Sequence, residues 1–342
     1  MYDILNGRTC LVTGAAGFIG SHLCERLLGL GCRVIAVDNL STGRIENLAA
    51  SQVHSRFICI KADVNRFDEV ALVFGSEPID YVFHLAALVG VKNVIERPLE
   101  VFKDIDGTKF LLALAHAQKV KKVVYVSSSE AYGEPISLPE REDGHLNPSP
   151  RDPYGLTKLI GESMVYYYFK KYGMPGCSLR FFNVYGPRQS SSAYGFVAGI
   201  FIEKVLRGEP MVIFGDGTAT RDFIYIDDNI EGIIRSMVSD LTHGEVLNIG
   251  SGLQTTIRDL ATRVMRIAGR EVPIINQPPR EMEIKYRCPD ITKLHRLTGF
   301  TPAVGLREGL SRTLEWYLAT PEQRHVVSAP SLPASQAERR VA

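Results

Sequence analysis

Tyr154 and Lys158 stand four residues apart in the run Tyr-Gly-Leu-Thr-Lys. Asp152-Pro153 precedes them and is typical of a helix start, so both side chains are expected on one face of a helix. A free phenol has a pKa near ~10, and a neighbouring ammonium favours the phenolate that can take a proton from an alcohol. Such a pair is also common on amphipathic surface helices, so the chemistry needs support from other residues.

That support comes from hydroxyls at the end of a predicted strand. The apolar run Val123-Val124-Tyr125-Val126 is followed by Ser127-Ser128-Ser129. A hydroxyl at the carboxyl end of a parallel strand points into the ligand crevice. There it can hold a substrate alcohol in line with the Tyr154 oxygen.

The hydride acceptor is predicted from three glycines near the N-terminus, Gly14, Gly17 and Gly20. They follow a predicted strand and open a predicted helix. Their spacing differs from the usual Gly-x-Gly-x-x-Gly, but the physics is the same: a tight turn, and a helix N-terminus that receives a pyrophosphate. The sequence therefore predicts a dinucleotide site, and an oxidised nicotinamide there would, like Lys158, favour the Tyr154 phenolate.

Two carboxylates follow the next predicted strands. Asp38 ends the second strand, where a carboxylate accepts hydrogen bonds from the ribose hydroxyls and repels a 2′-phosphate, which favours NAD over NADP. The alternative for Asp38 is an ordinary strand-end turn residue. Asp63-Val64 ends the third strand and is predicted either to meet the adenine edge or, for Asp63, to act as a plain helix N-cap.

Composition excludes several other classes of function. The chain has 342 residues, 45% hydrophobic and 23% charged, with a formal net charge of +1, so neither nucleic acid nor an anionic membrane is predicted as a partner. The sequence shows no signal peptide and no apolar run of ~18 residues. Six scattered cysteines are expected as small core residues in a reducing cytoplasm, and eight histidines without a paired spacing predict no metal site.

The elements that position these residues alternate along the chain, which predicts an α/β fold with a Rossmann-type doubly wound parallel sheet. Strands are expected at 8–14, 33–38, 56–60, 81–86, 122–128, 177–183 and 245–249. Helices are expected at 21–30, 67–74, 98–118, 153–172, 196–207, 256–268 and 305–318. Residues 1–180 with about 224–250 are predicted to form the NAD-binding domain. A smaller, intertwined C-terminal substrate domain is expected from 181–223 and 251–320. The tail 321–342 is predicted to be disordered.

The motifs as a set resemble the extended short-chain dehydrogenase/reductase family, most closely its NAD-dependent UDP-sugar 4-epimerases. The resemblance covers roughly residues 6–318. It rests on TGAAGFIGSHL (13–23), VDNLSTG (37–43), HLAA (84–87), SSSEAYG (127–133), YGLTK (154–158), RFFNVYGPRQ (180–189), IFGDGTATRDFIYIDD (213–228) and NIGSG (248–252).

The resemblance implies a role for each matching position. The catalytic residues would be Ser128, Tyr154 and Lys158. The residues that bind NAD would be Gly14, Gly17, Phe18, Ile19, Gly20, Asp38, Asn39, Ser41, Thr42, Gly43, Asp63, Val64, Leu85, Ala86 and Ala87, with Tyr154 and Lys158. The residues that bind the substrate would be Ser128, Ser129, Glu130, Asn183, Val212, Phe214, Arg221 and Arg280. From the sequence alone the two arginines could equally be solvated surface charges, and Val212 and Phe214 could be strand core.

The expected reaction is epimerisation at C4 of a nucleotide-sugar, a UDP-hexose, UDP-N-acetylhexosamine or UDP-hexuronate, through a 4-keto intermediate. The 4,6-dehydratases that the chain resembles have Thr-Asp-Glu where this chain has Ser128-Ser129-Glu130. Ser129 cannot act as the carboxylic acid that the Asp provides in those enzymes. Glu130 and the run Arg287-Cys-Pro-Asp290 keep a dehydratase or a UDP-glucuronate decarboxylase open as the alternative. A non-catalytic dinucleotide sensor is the remote alternative, and the presence of both Tyr154 and Lys158 speaks against it.

Two positions depart from the family pattern, and two helices bear on assembly. Asp104 stands where the family commonly has Asn before x-x-Gly-Thr, and Phe110 stands where the family often has Asn after that Gly-Thr. Family members often dimerise through two helices per subunit, here 98–118 and 153–172, so a homodimer is expected. The sugar is not fixed by the sequence. Its pocket is expected around 86–92 and 188–197.

Overall fold

The computed structural model describes residues 2–189, 196–279 and 284–320, with the backbone alone at 91–93. Arg280, the predicted tail 321–342 and the sugar-pocket residues 190–195 lie outside the described residues. The strands are β1 (Thr9–Thr13), β2 (Arg33–Asp38), β3 (Phe57–Lys61), β4 (Tyr81–His84), β5 (Lys122–Ser128), β6 (Gly176–Phe181), β7 (Asn183–Tyr185), β8 (Met211–Phe214), β9 (Thr220–Tyr225), β10 (Val246–Ile249), β11 (Gln254–Thr256) and β12 (Ile274–Gln277).

The α-helices connect these strands and cover them on both sides. They are α1 (Phe18–Gly29), α2 (Ala49–Gln52), α3 (Phe67–Ser76), α4 (Val91–Glu96), α5 (Pro98–Val101), α6 (Lys103–Ala117), α7 (Pro153–Tyr172), α8 (Val197–Arg207), α9 (Ile226–Val238), α10 (Ile257–Ala268), α11 (Thr292–Thr298) and α12 (Leu306–Ala319). Single 3₁₀ turns add Tyr2–Leu5, Ile45–Leu48, Ser129–Tyr132 and Asp240–Thr242.

Seven strands form one parallel sheet in the order β10-β6-β5-β4-β1-β2-β3. The strand order reverses direction between β1 and β4, the place where open α/β sheets bind ligands. Alternate side chains enter opposite cores: Leu11 packs on one face and Val12 on the other, and both are buried. The predicted α/β class and Rossmann-type parallel sheet are confirmed.

Smaller sheets lie beyond the main one. β11, β9 and β7 form a three-stranded sheet, and β12 pairs with β8. β10 belongs to the seven-stranded sheet although it follows these strands in the chain. The boundary predicted at 223/224 falls inside β9, and the division into two domains stays a prediction.

Several element boundaries differ from the sequence-based expectation for physical reasons. α1 begins at Phe18 rather than 21 because Gly17 is its N-cap, so the glycine turn is shorter than expected. The helix expected over 98–118 is two helices that meet at Phe102. The strand expected over 177–183 is split into β6 and β7, which belong to different sheets. β9 and α9 were missed.

Cys59 corrects the expectation that all six cysteines lie in the core. It is exposed on β3, the outermost strand of the main sheet, while the other five are buried and free. Within the described ranges, no helix combines the length and apolar content that crossing a bilayer requires.

Candidate active site

A cleft of about 450 Å³ opens at the carboxyl ends of β1, β4 and β5, at the reversal of strand order. The predicted catalytic trio and all the residues predicted to bind NAD line it together. These are Gly14, Gly17, Phe18, Ile19, Gly20, Asp38, Asn39, Ser41, Thr42, Gly43, Asp63, Val64, Leu85, Ala86, Ala87, Ser128, Tyr154 and Lys158. Residues from distant parts of the sequence therefore share one concave site.

The glycine turn holds the backbone too close for side chains. Gly14 has φ +68°, and a Cβ there would lie 2.8 Å from the Ala86 nitrogen. A Cβ on Gly20 would collide with the Gly14 carbonyl oxygen. Gly17 caps α1 without a side-chain hydrogen bond to its first N–H groups. The turn is thus a cradle with a helix N-terminus behind it, which fits a pyrophosphate.

Asp38 is fixed at the edge of this cradle. Its carboxylate accepts hydrogen bonds from the Ala16 N–H at 2.9 Å and the Leu40 N–H at 2.8 Å. Burial raises the pKa of Asp38, and these two backbone donors oppose the rise. A Cβ on Gly43 would lie 2.8 Å from an Asp38 oxygen, so the glycine lets the 39–43 loop close on the carboxylate.

Asp63 is not a helix N-cap, so that alternative is wrong. α3 begins at Phe67 with Arg66 as its N-cap. The Asp63 carboxylate instead accepts a hydrogen bond from the Asn65 N–H at 2.9 Å, an Asx turn that places it against the cleft.

Tyr154 is positioned by the start of α7, as its sequence indicates. Asp152 is the N-cap and accepts a hydrogen bond from the Tyr154 N–H at 3.1 Å, and Pro153 occupies the first turn. Gly155 lets the helix approach the turn after β5, because a Cβ there would lie 2.7 Å from the Glu130 carbonyl oxygen. β5 ends at Ser128, and the Ser128 hydroxyl is hydrogen-bonded to the Tyr154 phenol.

Burial raises the pKa of the Tyr154 phenol, and the carboxylates of Glu130, Asp104 and Asp152 raise it further. The hydrogen bond with Ser128 lowers it. In the protein alone the cost of desolvating the phenolate therefore outweighs nearby positive charge. The lowering of this pKa by Lys158 and an oxidised nicotinamide together stays a prediction.

Lys158 lies beneath the phenol. Its side chain is 3% exposed, and its ammonium donates to the Val126 carbonyl oxygen at 2.8 Å. The Nζ atom is 5.6 Å from the centroid of the Tyr154 ring and 5.2 Å from that of Tyr125. Burial lowers the pKa of Lys158 to about 8, so the group titrates close to neutral pH.

Most residues predicted to bind the substrate lie outside the lining of this cleft. Ser129 is buried in the turn after β5, and Glu130 approaches Arg287 at 3.4 Å. Asn183 donates to the Asp222 carbonyl oxygen at 3.0 Å, and Arg221 donates to that of Thr220 at 2.8 Å.

Val212 and Phe214 share the less buried face of β8, where Met211 and Ile213 fill the core. Met211 and Ile213 therefore form the strand core. The packing of Val212 and Phe214 against a base stays a prediction.

Further residues line the cleft. Leu88, Val89 and Phe196 fall within the stretches 86–92 and 188–197 that are predicted for the sugar pocket. The residues that sequence reasoning did not assign to the site are Val37, Ala62, Asn65, Arg97, Glu100, Lys103, Asp104, Val126, Ser127, Phe181, Phe182 and Val184. Asp104 carried a signal in its departure from the Asn-x-x-Gly-Thr pattern. Phe196 is the N-cap of α8.

Comparison with known proteins agrees with this geometry. The sequence profile of the NAD dependent epimerase/dehydratase family matches residues 10–250. The UDP-glucose 4-epimerase of Mycolicibacterium smegmatis is 36% identical over 309 residues, 90% of this chain and 97% of the relative. The UDP-N-acetyl-alpha-D-glucosaminuronate decarboxylase of Bacillus cytotoxicus is 34% identical over 321 residues, 91% of this chain and 98% of the relative.

A solved structure aligns along most of the chain as well. It is the UDP-glucuronic acid 4-epimerase of Bacillus cereus in complex with UDP-glucuronic acid and NAD. Its TM-score is 0.81 and its identity 36%, covering 90% of this chain and 98% of that one.

Proposed function

Because this chain belongs to the NAD dependent epimerase/dehydratase family, we propose that it inverts C4 of a UDP-sugar, with NAD as the cofactor. The observation that carries the proposal is the meeting of Ser128, Tyr154 and Lys158 with the glycine cradle in one cleft. UDP-hexoses, UDP-N-acetylhexosamines and UDP-hexuronates are the candidate substrates, since proteins named for such substrates match nearly the whole chain.

The protein's own residues divide the work of binding and proton transfer. Gly14, Gly17 and Gly20 with the N-terminus of α1 hold the pyrophosphate, and Asp38 accepts hydrogen bonds from the adenosine ribose. When bound, NAD would supply the hydride acceptor for C4 and, once reduced, the hydride donor, and its oxidised ring would add positive charge to the cleft.

Proton transfer at O4 falls to Tyr154. Its phenolic oxygen takes the O4 proton as the alcohol is oxidised and gives one back when the ketone is reduced. Ser128 holds O4 and the phenol in line through its hydroxyl. Lys158, buried and cationic below about pH 8, reduces the cost of the phenolate.

The sugar nucleotide is bound by residues beyond the cofactor cleft. Asn183 and Arg221 bind phosphate oxygens, Arg221 through a guanidinium whose donors match them. Val212 and Phe214 pack against the base. Arg280 is proposed as a further phosphate ligand on the strength of its motif alone, since it lies outside the described residues. Ser129 and Glu130, in the turn after Ser128, border the sugar.

A panel of substrates tests the proposal. Purified protein is incubated with UDP-glucose, UDP-N-acetylglucosamine and UDP-glucuronate, and the products are followed by NMR. C4 epimers of at least one substrate are expected, without net consumption of NAD. Loss of water or CO₂ without an epimer would overturn the proposal in favour of the dehydratase or decarboxylase branch.

Decarboxylation of a UDP-hexuronate is the second candidate, and one contact favours it. The Glu130 carboxylate is half-exposed and lies 3.4 Å from the buried guanidinium of Arg287. In this candidate function the Glu130 carboxylate, which follows Ser128 in the chain, is the second acid–base group and acts at C5. The UDP-glucuronate arm of the panel separates the two functions, because release of CO₂ and the 4-epimer are different products.

A variant tests the proton-transfer role directly. Tyr154→Phe should lower turnover by about 10²–10⁴-fold, the range that general acid–base catalysis supplies, and should leave bound NAD in place. Tyr166→Phe, half-exposed on the same helix, is the matched control and should keep full activity. A Tyr154→Phe enzyme with near-normal turnover would remove Tyr154 from the mechanism.

The homodimer is proposed to form through α5, α6 and α7. Leu99, Ile160 and Tyr167 are 79%, 39% and 66% exposed there, an apolar surface unusual for a free face. A shallow depression of about 400 Å³ beside Ile160 and Tyr167 could receive side chains of a second copy. A cytoplasmic location is proposed because the cysteines are free, as a reducing compartment keeps them.

A further inference from the structure

Asp104 places a buried carboxylate in the same cleft as Tyr154 and Lys158. The residue is only 9% exposed. Its two oxygens accept hydrogen bonds from the Leu88 N–H at 2.8 Å and the Asn65 amide at 3.3 Å. Both donors are neutral, so these bonds orient the carboxylate without cancelling its charge.

The start of α6 keeps this carboxylate in place. Asp104 lies in the first turn of the helix, where the macrodipole favours an anion. The Thr108 hydroxyl donates to the Asp104 carbonyl oxygen at 3.0 Å. Gly107 lets Asn65 reach the helix, because a Cβ at Gly107 would collide with the Asn65 amide oxygen. The charge is therefore held at a fixed point of the cleft.

The carboxylates of Asp104 and Glu162 both raise the pKa of Lys158. Of these two, Glu162 is the one whose charge a neighbouring cation compensates. Burial lowers the pKa of Lys158 to about 8, while Asp104 and Glu162 act in the opposite direction. Glu162 is bound by both arms of Arg180, at 2.8 and 2.7 Å. The guanidinium cancels most of the Glu162 field, so the field at Lys158 is chiefly that of Asp104.

Other charged groups also act on Tyr154, Lys158 and Asp104. For Tyr154, the carboxylates that raise the pKa are Glu130, Asp104 and Asp152, in that order of size after burial. For Asp104 itself, burial raises the pKa, Lys158 lowers it and Asp63 raises it. The charged residues that line the cleft are Asp38, Asp63, Arg97, Glu100, Lys103, Asp104 and Lys158.

We infer that Asp104 is a positioning residue, whose fixed and buried carboxylate in the cleft of Tyr154 and Lys158 sets the pH window of the reaction. It keeps the ammonium charged at neutral pH, and it makes the phenol harder to ionise. The inference rests on the proposed roles of Tyr154 and Lys158, but the interaction between Asp104 and Lys158 can be measured without them.

The first test compares two variants that each remove one negative charge from α6. Asp104→Asn keeps an acceptor for the Leu88 N–H. Asp106→Asn, exposed two residues further on, is the matched control. Removing a negative charge lets nearby groups lose protons more readily, so both limbs of the pH–rate profile should move to lower pH by about one unit in Asp104→Asn. Activity should fall at alkaline pH and rise at acid pH relative to the parent enzyme.

The control and the contrary result are distinct. Asp106→Asn should leave the profile where it is. If Asp104→Asn lowers activity equally at every pH, the residue is only a structural anchor for the Leu88 segment and the inference is wrong.

The second test needs no turnover. Protein labelled with ¹³C at lysine Cε is titrated by NMR, and the Lys158 signal is assigned by its loss in Lys158→Met. Its midpoint is expected near pH 8 in the parent protein and at lower pH in Asp104→Asn. An unchanged midpoint would refute the inference. A shifted midpoint in a protein that epimerises no UDP-sugar would uphold the interaction between Asp104 and Lys158 and overturn the proposed function instead.

Discussion

Arg287 offers the sharpest test of how a distant segment holds the turn next to the active site. Its side chain is almost fully buried, with the residue 1% exposed. The guanidinium donates to the carbonyl oxygens of Ser129 and Gly133, which bracket the turn after β5, and to Glu140 at 3.0 Å. Arg287→Met keeps a long side chain and removes all of these bonds.

The size of the effect follows from what the variant leaves behind. Removing one partner of a buried ion pair costs ~3–5 kcal/mol, because the remaining charge is uncompensated. Burial already raises the pKa of Glu140 to about 7, and Arg287 is the largest influence that lowers it. In Arg287→Met the pKa of Glu140 must rise further.

The pH dependence has a definite sign. A carboxyl whose folded pKa is raised destabilises the protein above its unfolded pKa, since the unfolded chain gives up the proton more readily. This cost is absent below about pH 4 and grows as the pH rises toward the folded pKa. Arg287→Met should therefore lose more stability relative to the parent at pH 8 than at pH 6.

Guanidinium unfolding, followed by fluorescence of the single tryptophan Trp316, measures the effect. Arg141→Met is the matched control: this arginine is 60% exposed and pairs with Asp143 and Asp290, so a change of no more than ~1 kcal/mol is expected. Replacing Arg287 and Glu140 together by Met should recover most of the loss. A loss below ~1 kcal/mol for Arg287→Met, or one independent of pH, would refute the reasoning.

Three further predictions follow from the cofactor site and the exposed helices. Gly20→Ala should abolish NAD retention, measured by absorbance after purification, whereas Gly29→Ala on the same helix has no atom within 4 Å and should stabilise the protein by up to ~1 kcal/mol. Asp38→Asn should raise the affinity for NADP relative to NAD about tenfold, measured by titrating cofactor-free protein, because a repelling charge is removed. Tyr167→Glu should convert the proposed dimer to a monomer in sedimentation velocity, with Tyr286→Glu, 42% exposed elsewhere, as the control.

The sheet and the cofactor site could be predicted because their signals are local. β5 and α7 have the bounds that the sequence indicates, Lys122–Ser128 and Pro153–Tyr172. Residues within or next to each element predict it: a β-branched run for the strand, and Asp152-Pro153 for the helix start. Once β1, β4 and β5 are parallel neighbours, their carboxyl ends must meet, and the residues that follow each strand share a cleft.

What sequence reasoning missed depends on contacts between distant segments. β9 is a short strand whose partners, β7 and β11, come from elsewhere in the chain. In the sequence Arg287 bears only on the decarboxylase alternative, through the run Arg287-Cys-Pro-Asp290, and only the fold shows that the turn after β5 accepts its hydrogen bonds.

The ionisation of Tyr154 shows why spacing alone cannot set a charge. A spacing of four residues on one helix face places Lys158 beneath the phenol, and the sequence predicts that this ammonium and an oxidised nicotinamide both favour the phenolate. The fold also buries both groups and surrounds the phenol with Glu130, Asp104 and Asp152, so the pKa of Tyr154 rises and that of Lys158 falls. In the protein alone the phenol therefore keeps its proton. Because one buried ammonium does not overcome that environment, the phenolate needs further positive charge in the cleft, and the base is expected to form only when the cofactor is bound.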